Sequence, residues 1–502
     1  MKVPSYVVTI LSVIVFVLLF FEKNLGLNVT LFGALTTLLL VIFKRQFFSS
    51  SLNYIVSIGF LFSSVFYFLY GSPFILFVSI FSFVLLLGLH TQVPIKNLLS
   101  AIPNALPNYG DAFSMFFKSF RGRKRTKRKS IGLSRLLRIF FLPAFVILLF
   151  VALYSMGSSF FSDFVGSVSN FISTAYSKIA NYIDIKVIGV GLVGLFISVI
   201  HSLGLTKTLI STTDEEKSDL LIRAKDNRLK RFKNLDLKYE YKSGVFLFCT
   251  LNIMLLVLLF LEIKNIWIDF EWQGEFLKSM VHEGTYVLIA SILISMGVAM
   301  YYFRKNLNFY KNNGFLKELA TVWISLNAVL IISVFVRNAY YIQHFALAYK
   351  RIGVVFFLVL CLIGLVTLLI KIYRFKSVHF VVRTNALAAY ITLVVISAFN
   401  WDSIIAEYNF SHYKTAFIHL PFMSQLSDKA LPYLKISDSQ IEEIESKQVE
   451  KIPFAKRGYF KDVEYQLKIE KRITRFKKEK ANEHWLEFVW AERKVLEKLN
   501  EF

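Results

Sequence analysis

Long runs of uncharged, apolar residues recur through the first 400 residues of the chain, with short polar stretches between them. A helix that crosses a hydrocarbon core about 30 Å thick needs roughly 17–25 mostly apolar residues. Barrel strands alternate apolar and polar positions, which these runs do not, so the runs predict helices. The predicted fold is an all-α, polytopic transmembrane helical bundle of about 11 spans. The runs, none with an Asp or Glu inside, are 6–21, 27–43, 52–70, 74–89, 139–156, 187–203, 244–261, 285–303, 319–336, 352–372 and 378–399.

The polar stretches divide the chain into six regions. We predict the first four transmembrane helices in 1–90, a basic insert in 91–138, two helices in 139–205, a second insert in 206–243, five helices in 244–399 and an extramembrane tail in 400–502. The tail has nearly balanced charges and good helical spacing from Phe460 onward, so we predict that it is helical.

Composition agrees with a membrane protein. The chain is 55% hydrophobic and only 18% charged, with a mean hydropathy of +0.54, whereas a soluble domain has about 25% charged residues. Both cysteines, Cys249 and Cys361, fall in predicted spans. A disulfide framework is therefore not supported.

Positive charge is concentrated on one predicted side of the membrane. The insert 91–138 carries eleven Lys and Arg residues against the single acid Asp111, and 206–243 carries ten. Because Lys and Arg mark cytoplasmic loops, we predict a bacterial cytoplasmic-membrane protein with its N-terminus inside and its tail outside. Arg337, Lys350 and Arg351 fall on the external side and run against this pattern.

The densest basic stretch is RGRKRTKRKS, residues 121–130. We interpret it as a topogenic signal that also attracts anionic lipid, at about 1 kcal/mol per base. Nucleic acid is not an expected partner, because membrane helices flank the stretch and no aromatic is interleaved in it. The members of this basic cluster are Arg121, Arg123, Lys124, Arg125, Lys127, Arg128 and Lys129.

Two short motifs suggest chemistry that their surroundings do not support. Gly189, Gly191 and Gly194 form G-x-G-x-x-G, with Asp214 twenty residues on, but the following segment lacks the polar helix face of a dinucleotide site. Small residues instead allow close packing of membrane helices. HEGTY, residues 282–286, begins like a zinc-protease motif but lacks the second His. We predict no metal and no cofactor.

The most suggestive stretch is RNAYYIQH, residues 337–344. Helical spacing places Arg337, Tyr341 and His344 on one face, and Asn327 lies ten residues earlier. These four residues form a candidate polar pocket for an anionic group. The alternative is an interfacial aromatic belt with a snorkelling Arg. The secondary candidates are His282, Glu283, Asn252 and Asn400, and interhelical hydrogen bonding is the alternative for Asn252.

Several stretches in order resemble a known family. They are FEKNLGLNVTLF, VHEGTYVLIASI, WISLNAVLIISVFVRNAYYI, NWDSIIAEYNF and LSDKALPYL. Their order resembles the bacterial membrane-protein family called domain of unknown function 4173, which is related to family 4153. The resemblance implies a multi-span membrane protein without an assigned activity. It places Asn327, Arg337, Tyr341, Asn400 and Asn409 at family-like positions.

Three functions remain open from the sequence. A non-catalytic envelope scaffold or sensor is favoured over an enzyme, because the sequence shows no metal-ligand spacing and no set of residues typical of a catalytic nucleophile. A transporter of a small solute or lipid fits the span count, but spans without carboxylates argue against common ion-coupled designs. A membrane enzyme acting on a lipid-linked substrate would draw on a pool of polar external residues: His282, Glu283, Arg337, His344 and Asp402.

Overall fold

The computed structural model describes residues 5–92, 94–120, 185–198, 201, 208–223, 230–268, 285–304, 306–451, 462–481 and 483–501. Within these ranges the chain is all-helical and contains no named strand, which confirms the all-α class, whereas the predicted number of about 11 spans is not confirmed. The predicted span 139–156, the basic cluster within 121–129, and His282 and Glu283 lie outside the described residues.

Sixteen helices carry the architecture and are numbered here in chain order. They are α1 Ser5–Phe20, α2 Leu27–Phe43, α3 Ser51–Tyr70, α4 Pro73–Leu89, α5 Leu98–Phe120, α6 Ile185–Ser198, α7 Leu209–Glu215, α8 Lys230–Glu262, α9 Thr285–Tyr302, α10 Gly314–Phe345, α11 Tyr349–Tyr373, α12 Val378–Ser397, α13 Trp401–Ser411, α14 Asp438–Lys451, α15 Asp462–Lys480 and α16 Trp490–Glu501. Helix α8 continues into a π-helical stretch, Ile263–Ile268.

Among the described residues, six helical segments are long and apolar enough to cross a membrane: Ser51–Tyr70, Leu237–Ile268, Thr285–Tyr302, Gly314–Phe345, Tyr349–Tyr373 and Val378–Ser397. Shorter apolar helices lie at Val7–Phe20, Leu27–Phe43, Pro73–Leu89 and Gly189–Ser198, within or close to four other predicted spans. Two of the six segments extend well beyond their predicted bounds, because polar residues at a helix end continue the backbone hydrogen bonding. The extension of Leu237–Ile268 places Glu262 inside the helical segment.

The membrane helices form two bundles. In the first, α3 packs against α2 and α4, α4 against α5, and α1 against α6. In the second, α10 packs against α8, α9 and α11. Helix α12 contacts α11 and also α3, α4 and α5, so it joins the bundles. Its Tyr390 is buried and donates to Val56 O at 3.2 Å and to Ser82 Oγ at 3.0 Å.

The tail, 400–502, folds onto one end of both bundles. Lys429 Nζ donates to the carbonyl of Gly71 at the end of α3, at 3.0 Å. A Cβ on Gly26, which precedes α2, would overlap the carbonyl of Glu487. Asn409 binds the turn between α10 and α11 through two hydrogen bonds. Its Oδ1 accepts from Leu347 N at 2.7 Å, and its Nδ2 donates to Leu347 O at 3.0 Å.

The opposite helix ends are tied together by the second insert. Leu220 forms a β-bridge with Lys376, and Arg383 of α12 pairs with Asp219 at 2.8 Å. Lys371, near the end of α11, is fully buried, and its Nζ donates to the carbonyl of Phe303.

The tail has an apolar core of its own. Ile405, Leu431, Tyr465 and Phe476 are all buried in it. Leu347, in the turn between α10 and α11, packs against this core. The tail is therefore helical, as predicted, and its core continues into the membrane bundle.

Candidate functional site

One face of α10 carries the candidate polar residues. Ser333, Arg337 and Tyr341 follow one another at intervals of four residues, and their exposed fractions are 0%, 8% and 7%. Residues four apart share a helix face, so this face points into the bundle. A guanidinium with this little exposure differs from a snorkelling Arg, whose charge reaches water.

The anionic partner of Arg337 is a side chain of the same protein, Glu262. Arg337 Nε donates to Glu262 Oε2 at 2.9 Å, and its Nη2 donates to Oε1. Ser333 Oγ donates to Oε2 of the same carboxylate at 2.9 Å. The guanidinium therefore presents its planar fork to a carboxylate of the same protein.

The predicted apolar runs contain no Asp or Glu, but the helical segments extend past these runs and include carboxylates, Glu262 among them. The run 244–261 ends one residue before Glu262, but the helical segment continues to Ile268. Glu262 is 7% exposed, so it is inside the bundle and not in a loop. The π-helical stretch that begins at the next residue is a feature often found at functional sites.

This ion pair is a strong constraint on the bundle. Taking two charges out of water is costly, and removing one partner of such a pair costs about 3–5 kcal/mol. Glu262 lies 75 residues from Arg337 in the sequence. The pair therefore fixes α8 against α10 at one position along both helices.

The other two members of the candidate pocket lie apart from this pair. Asn327 is buried and donates to Trp323 O of its own helix at 2.8 Å, and its Oδ1 has no hydrogen-bond partner among the described residues. His344 is half-buried near the end of α10, and its carbonyl accepts from Phe417 N at 2.8 Å. The structure thus joins Arg337 to Glu262 through two hydrogen bonds.

Tyr341 belongs to a different environment, at the end of α10. The guanidinium of Arg351 lies over its ring, 4.3 Å from the centroid. Arg351 Nη1 also donates to Phe345 O at 2.5 Å and to the carbonyl of Ala346. Tyr341 and Arg351 line a cavity of about 380 Å³.

The turn below this cavity is strained. Ala346 has φ 63° and ψ −174°, a region occupied almost only by glycine. It is 1% exposed, and the contacts of Arg351 and Asn409 hold the residues on either side of it. Such strain persists only where the surroundings over-determine the conformation.

The two secondary candidates within the described residues, Asn252 and Asn400, have structural partners. Asn252 donates to Leu319 O of α10 at 3.0 Å, the interhelical bond that was its alternative interpretation. Asn400 caps α13: its Nδ2 donates to Ser403 Oγ at 2.8 Å, and its Oδ1 accepts from Ser403 N at 3.5 Å. Asp402 accepts from the hydroxyls of Tyr349 and Ser427.

The glycine motif lies in a helix. Gly189, Gly191 and Gly194 are all in α6, and a Cβ on Gly194 would lie 2.8 Å from Phe16 Cδ1 of α1. Asp214 is buried and accepts from Lys96 N at 2.6 Å and from Asn97 N at 3.0 Å, just before α5 begins. Gly194 is therefore a packing position between α1 and α6, and Asp214 anchors a helix start.

Three site residues were missed by sequence reasoning. Glu262 lies one residue beyond the predicted run 244–261 and was therefore not considered. Arg351 was noted only as a base on the predicted external side, and Thr285 was not singled out. The signal that marks the first two is a charge immediately beside an apolar run: Glu262 directly follows the run 244–261, and Arg351 directly precedes the run 352–372. Among the described residues, no group of three His, Cys, Asp or Glu side chains could hold a metal.

The helices and the buried ion pair define the class: a helical membrane protein with six candidate spans in its described part. A family model described as "Domain of unknown function (DUF4153)" matches residues 6–435, and the chain belongs to this family. The matching model is that of the related family which the resemblance included, and membership of family 4173 is not shown. Searches of curated proteins and of solved structures found no match.

Proposed function

We propose that this protein is a non-catalytic scaffold or sensor of the bacterial cytoplasmic membrane, with the tail as its working surface. The observation that carries the proposal is the attachment of the tail to both bundles. Lys429 holds the end of α3, Asn409 holds the α10–α11 turn, and Asn24 Nδ2, before α2, donates to Glu487 Oε2 at 2.8 Å. Because the tail is bound to several membrane helices, its surface has a fixed position relative to the membrane domain.

The site chemistry favours the same proposal. Arg337, the strongest candidate for binding an external anion, is paired with Glu262. Asp402, from the pool of candidate catalytic residues, is held by Tyr349 and Ser427. These side chains are engaged in structural contacts, so they support a framework more than a reaction centre.

The topology that we propose has a cytoplasmic N-terminus and an external tail. Support comes from the grouping of helix ends, since the tail contacts 24–26, 71 and 345–347, all predicted external. The second insert contacts 96–100 and 375–377, all predicted cytoplasmic. On this topology the basic cluster 121–129 faces the cytoplasm and binds anionic lipid, with no role for nucleic acid.

Complementation of a deletion strain tests the scaffold proposal. We expect His282→Ala, Glu283→Gln and His344→Ala to restore growth across envelope stresses as well as the wild type does. The double variant Lys429→Met/Asn409→Leu, which releases the tail, should fail at normal membrane abundance. If one of the three single variants is inserted normally but fails to complement, the protein performs chemistry and the proposal is wrong.

One observation favours transport as a second candidate. Glu262 places a carboxylate within a candidate span, in an ion pair with Arg337. Intramembrane carboxylates of this kind serve as proton or ion relays in many transporters. Ion-driven uptake into proteoliposomes that disappears in Glu262→Gln would favour this candidate, and the absence of flux would leave the scaffold.

A further inference from the structure

The cavity beside Tyr341 lies where three helices of the second bundle meet the tail. Thr285 and Tyr286 come from the start of α9, Asn338 and Tyr341 from the end of α10, and the segment 348–351 from the start of α11. Phe422 of the tail contributes to the wall and packs edge-to-face on Tyr349, with 6.1 Å between the ring centroids. The volume of about 380 Å³ falls within the range of small-molecule sites, about 300–1,000 Å³.

One wall carries a buried hydroxyl without a partner. Thr285 is 3% exposed, and its Oγ1 has no hydrogen-bond partner among the described residues. Leaving such a group unsatisfied costs about 1–3 kcal/mol. A ligand oxygen in the cavity would satisfy it.

The charges that line the cavity are positive. Arg351 and Lys350 are both in the lining, and within the described ranges neither has a carboxylate at ion-pair distance. Arg351 Nη1 donates to the neutral carbonyls of Phe345 and Ala346. These carbonyls position the guanidinium without balancing its charge, so an anion here is attracted by two bases.

The remaining wall is apolar and aromatic. Val354 and Phe422 line it, and Tyr286 and Tyr349 are 50% and 47% exposed. Tyrosines with an apolar body and a polar tip favour the membrane–water interface. A ligand here meets bases at one end and an apolar surface at the other.

We propose that this cavity binds a phosphate-bearing amphiphile, that is, a phosphate ester on an apolar chain. Arg351 and Lys350 take the phosphate, Thr285 donates to one of its oxygens, and the chain lies along Val354. Because Phe422 comes from the tail, occupancy changes how firmly the tail is held. This inference rests on the sensor half of the proposed function and names the class of molecule that is sensed.

Binding to the purified full-length protein in mixed micelles tests the inference. The probes are farnesyl phosphate, phosphatidylglycerol, phosphatidylcholine and inorganic phosphate. We expect one or both of the first two to raise the unfolding temperature, and phosphatidylcholine and inorganic phosphate to have little effect. Tighter binding of farnesyl phosphate identifies a lipid-linked phosphate, and tighter binding of phosphatidylglycerol identifies a bulk lipid head group.

Three variants make the test specific. Arg351→Gln should weaken binding at least tenfold, whereas Arg374→Gln, an exposed Arg at the other end of the same helix, should leave it unchanged. Thr285→Val should weaken binding two- to tenfold while the ligand-free protein keeps or gains stability, because an unpaired buried hydroxyl is removed. The second variant decides the question if Arg351→Gln fails to fold.

Two results would overturn the proposal. One is unchanged binding in Thr285→Val together with unchanged binding in any folded Arg351→Gln. The other is equally tight binding of inorganic phosphate, which would mean that the apolar wall contributes nothing. The binding assay does not measure growth. A negative binding result therefore does not affect the complementation test of the scaffold, and a negative complementation result does not affect the binding result.

Discussion

At the scale of single residues, sequence reasoning recognised Arg337 but not its partner. Spacing along one helix predicted that Arg337 and Tyr341 share a buried face, and both are buried. Spacing says nothing about a carboxylate 75 residues away. That contact depends on how α8 continues beyond its apolar run and on how two helices align, which are properties of the packed bundle.

The first prediction concerns the ion pair. Glu262→Gln and Arg337→Gln should each lower the free energy of unfolding by about 3–5 kcal/mol, because each leaves one buried charge without its partner. Arg337→Lys should lie between these variants and the wild type, since it keeps the charge but loses the fork. Unfolding by SDS in mixed micelles measures all three.

A control and a double variant complete this experiment. Glu240→Gln on the same helix breaks a partly exposed pair with Arg304, 3.8 Å long, and should cost no more than about 1 kcal/mol. The double variant Glu262→Gln/Arg337→Gln should be less destabilised than the sum of the two single variants. Strict additivity would show that the two residues do not interact.

The second prediction concerns the strained turn. Ala346 has a positive φ, which glycine adopts without a Cβ penalty. Ala346→Gly should therefore raise the free energy of unfolding by about 1 kcal/mol. Ala348→Gly is the matched control, because Ala348 is extended, with φ −151°, and should lose a few tenths of a kcal/mol. An equal effect of both variants would contradict a strained Ala346.

The third prediction concerns pH. Burial lowers the pKa of His419, and a hydrogen bond to its own backbone partly opposes this shift. Its neutral Nδ1 accepts from Phe422 N at 3.0 Å. The unfolded chain has the ordinary pKa of about 6.5 and therefore binds the proton first. Stability from His419 is thus present above about pH 6.5 and is lost as the pH falls through the lower, folded-state pKa.

Unfolding temperatures measured from pH 7.5 to 5 test this. The wild type should lose more stability over that interval than His419→Asn, because Asn keeps a capping oxygen but does not titrate. Identical pH profiles for the two proteins would show that His419 is not responsible.

At the scale of elements, the apolar runs predicted most of the helices, but they placed the ends of two helices wrongly. Runs such as 352–372 and 378–399 match α11 and α12 closely, since continuous apolar residues make a membrane helix recognisable on their own. Their pairing could not be predicted this way. Asp214, for example, matched a nucleotide motif by spacing, but its partners lie 114 to 118 residues earlier, where α5 begins.

The fourth prediction tests the glycine motif as a packing surface. Gly194→Leu should destabilise the contact between α1 and α6 by about 1–3 kcal/mol, because its side chain would meet Phe16. Gly189→Leu should be nearly neutral, since nothing lies within 4 Å of a Cβ there. A nucleotide site would instead be impaired by both substitutions, and equal effects on stability would contradict the packing interpretation.

At the scale of the whole molecule, the account depends on the tail and the basic inserts lying on opposite sides of the membrane. The base asymmetry of 91–138 and 206–243 predicts that these inserts are cytoplasmic. Among the described residues, the tail binds Gly71 and Leu347, which the same alternation of helices predicts to be external. The tail's fold was predictable only as helical, because its core forms between segments far apart in the sequence, such as Ile405 and Val495.

Cysteine labelling determines on which side of the membrane the tail and the basic cluster lie. In a background with Cys249→Ala and Cys361→Ala, Ser439→Cys places a thiol on the exposed surface of the tail, and Ser130→Cys places one beside the basic cluster. A membrane-impermeant maleimide should label Ser439→Cys in intact spheroplasts, and Ser130→Cys only after the membrane is permeabilised. Labelling of Ser130→Cys in intact spheroplasts, with Ser439→Cys protected until permeabilisation, would contradict the account.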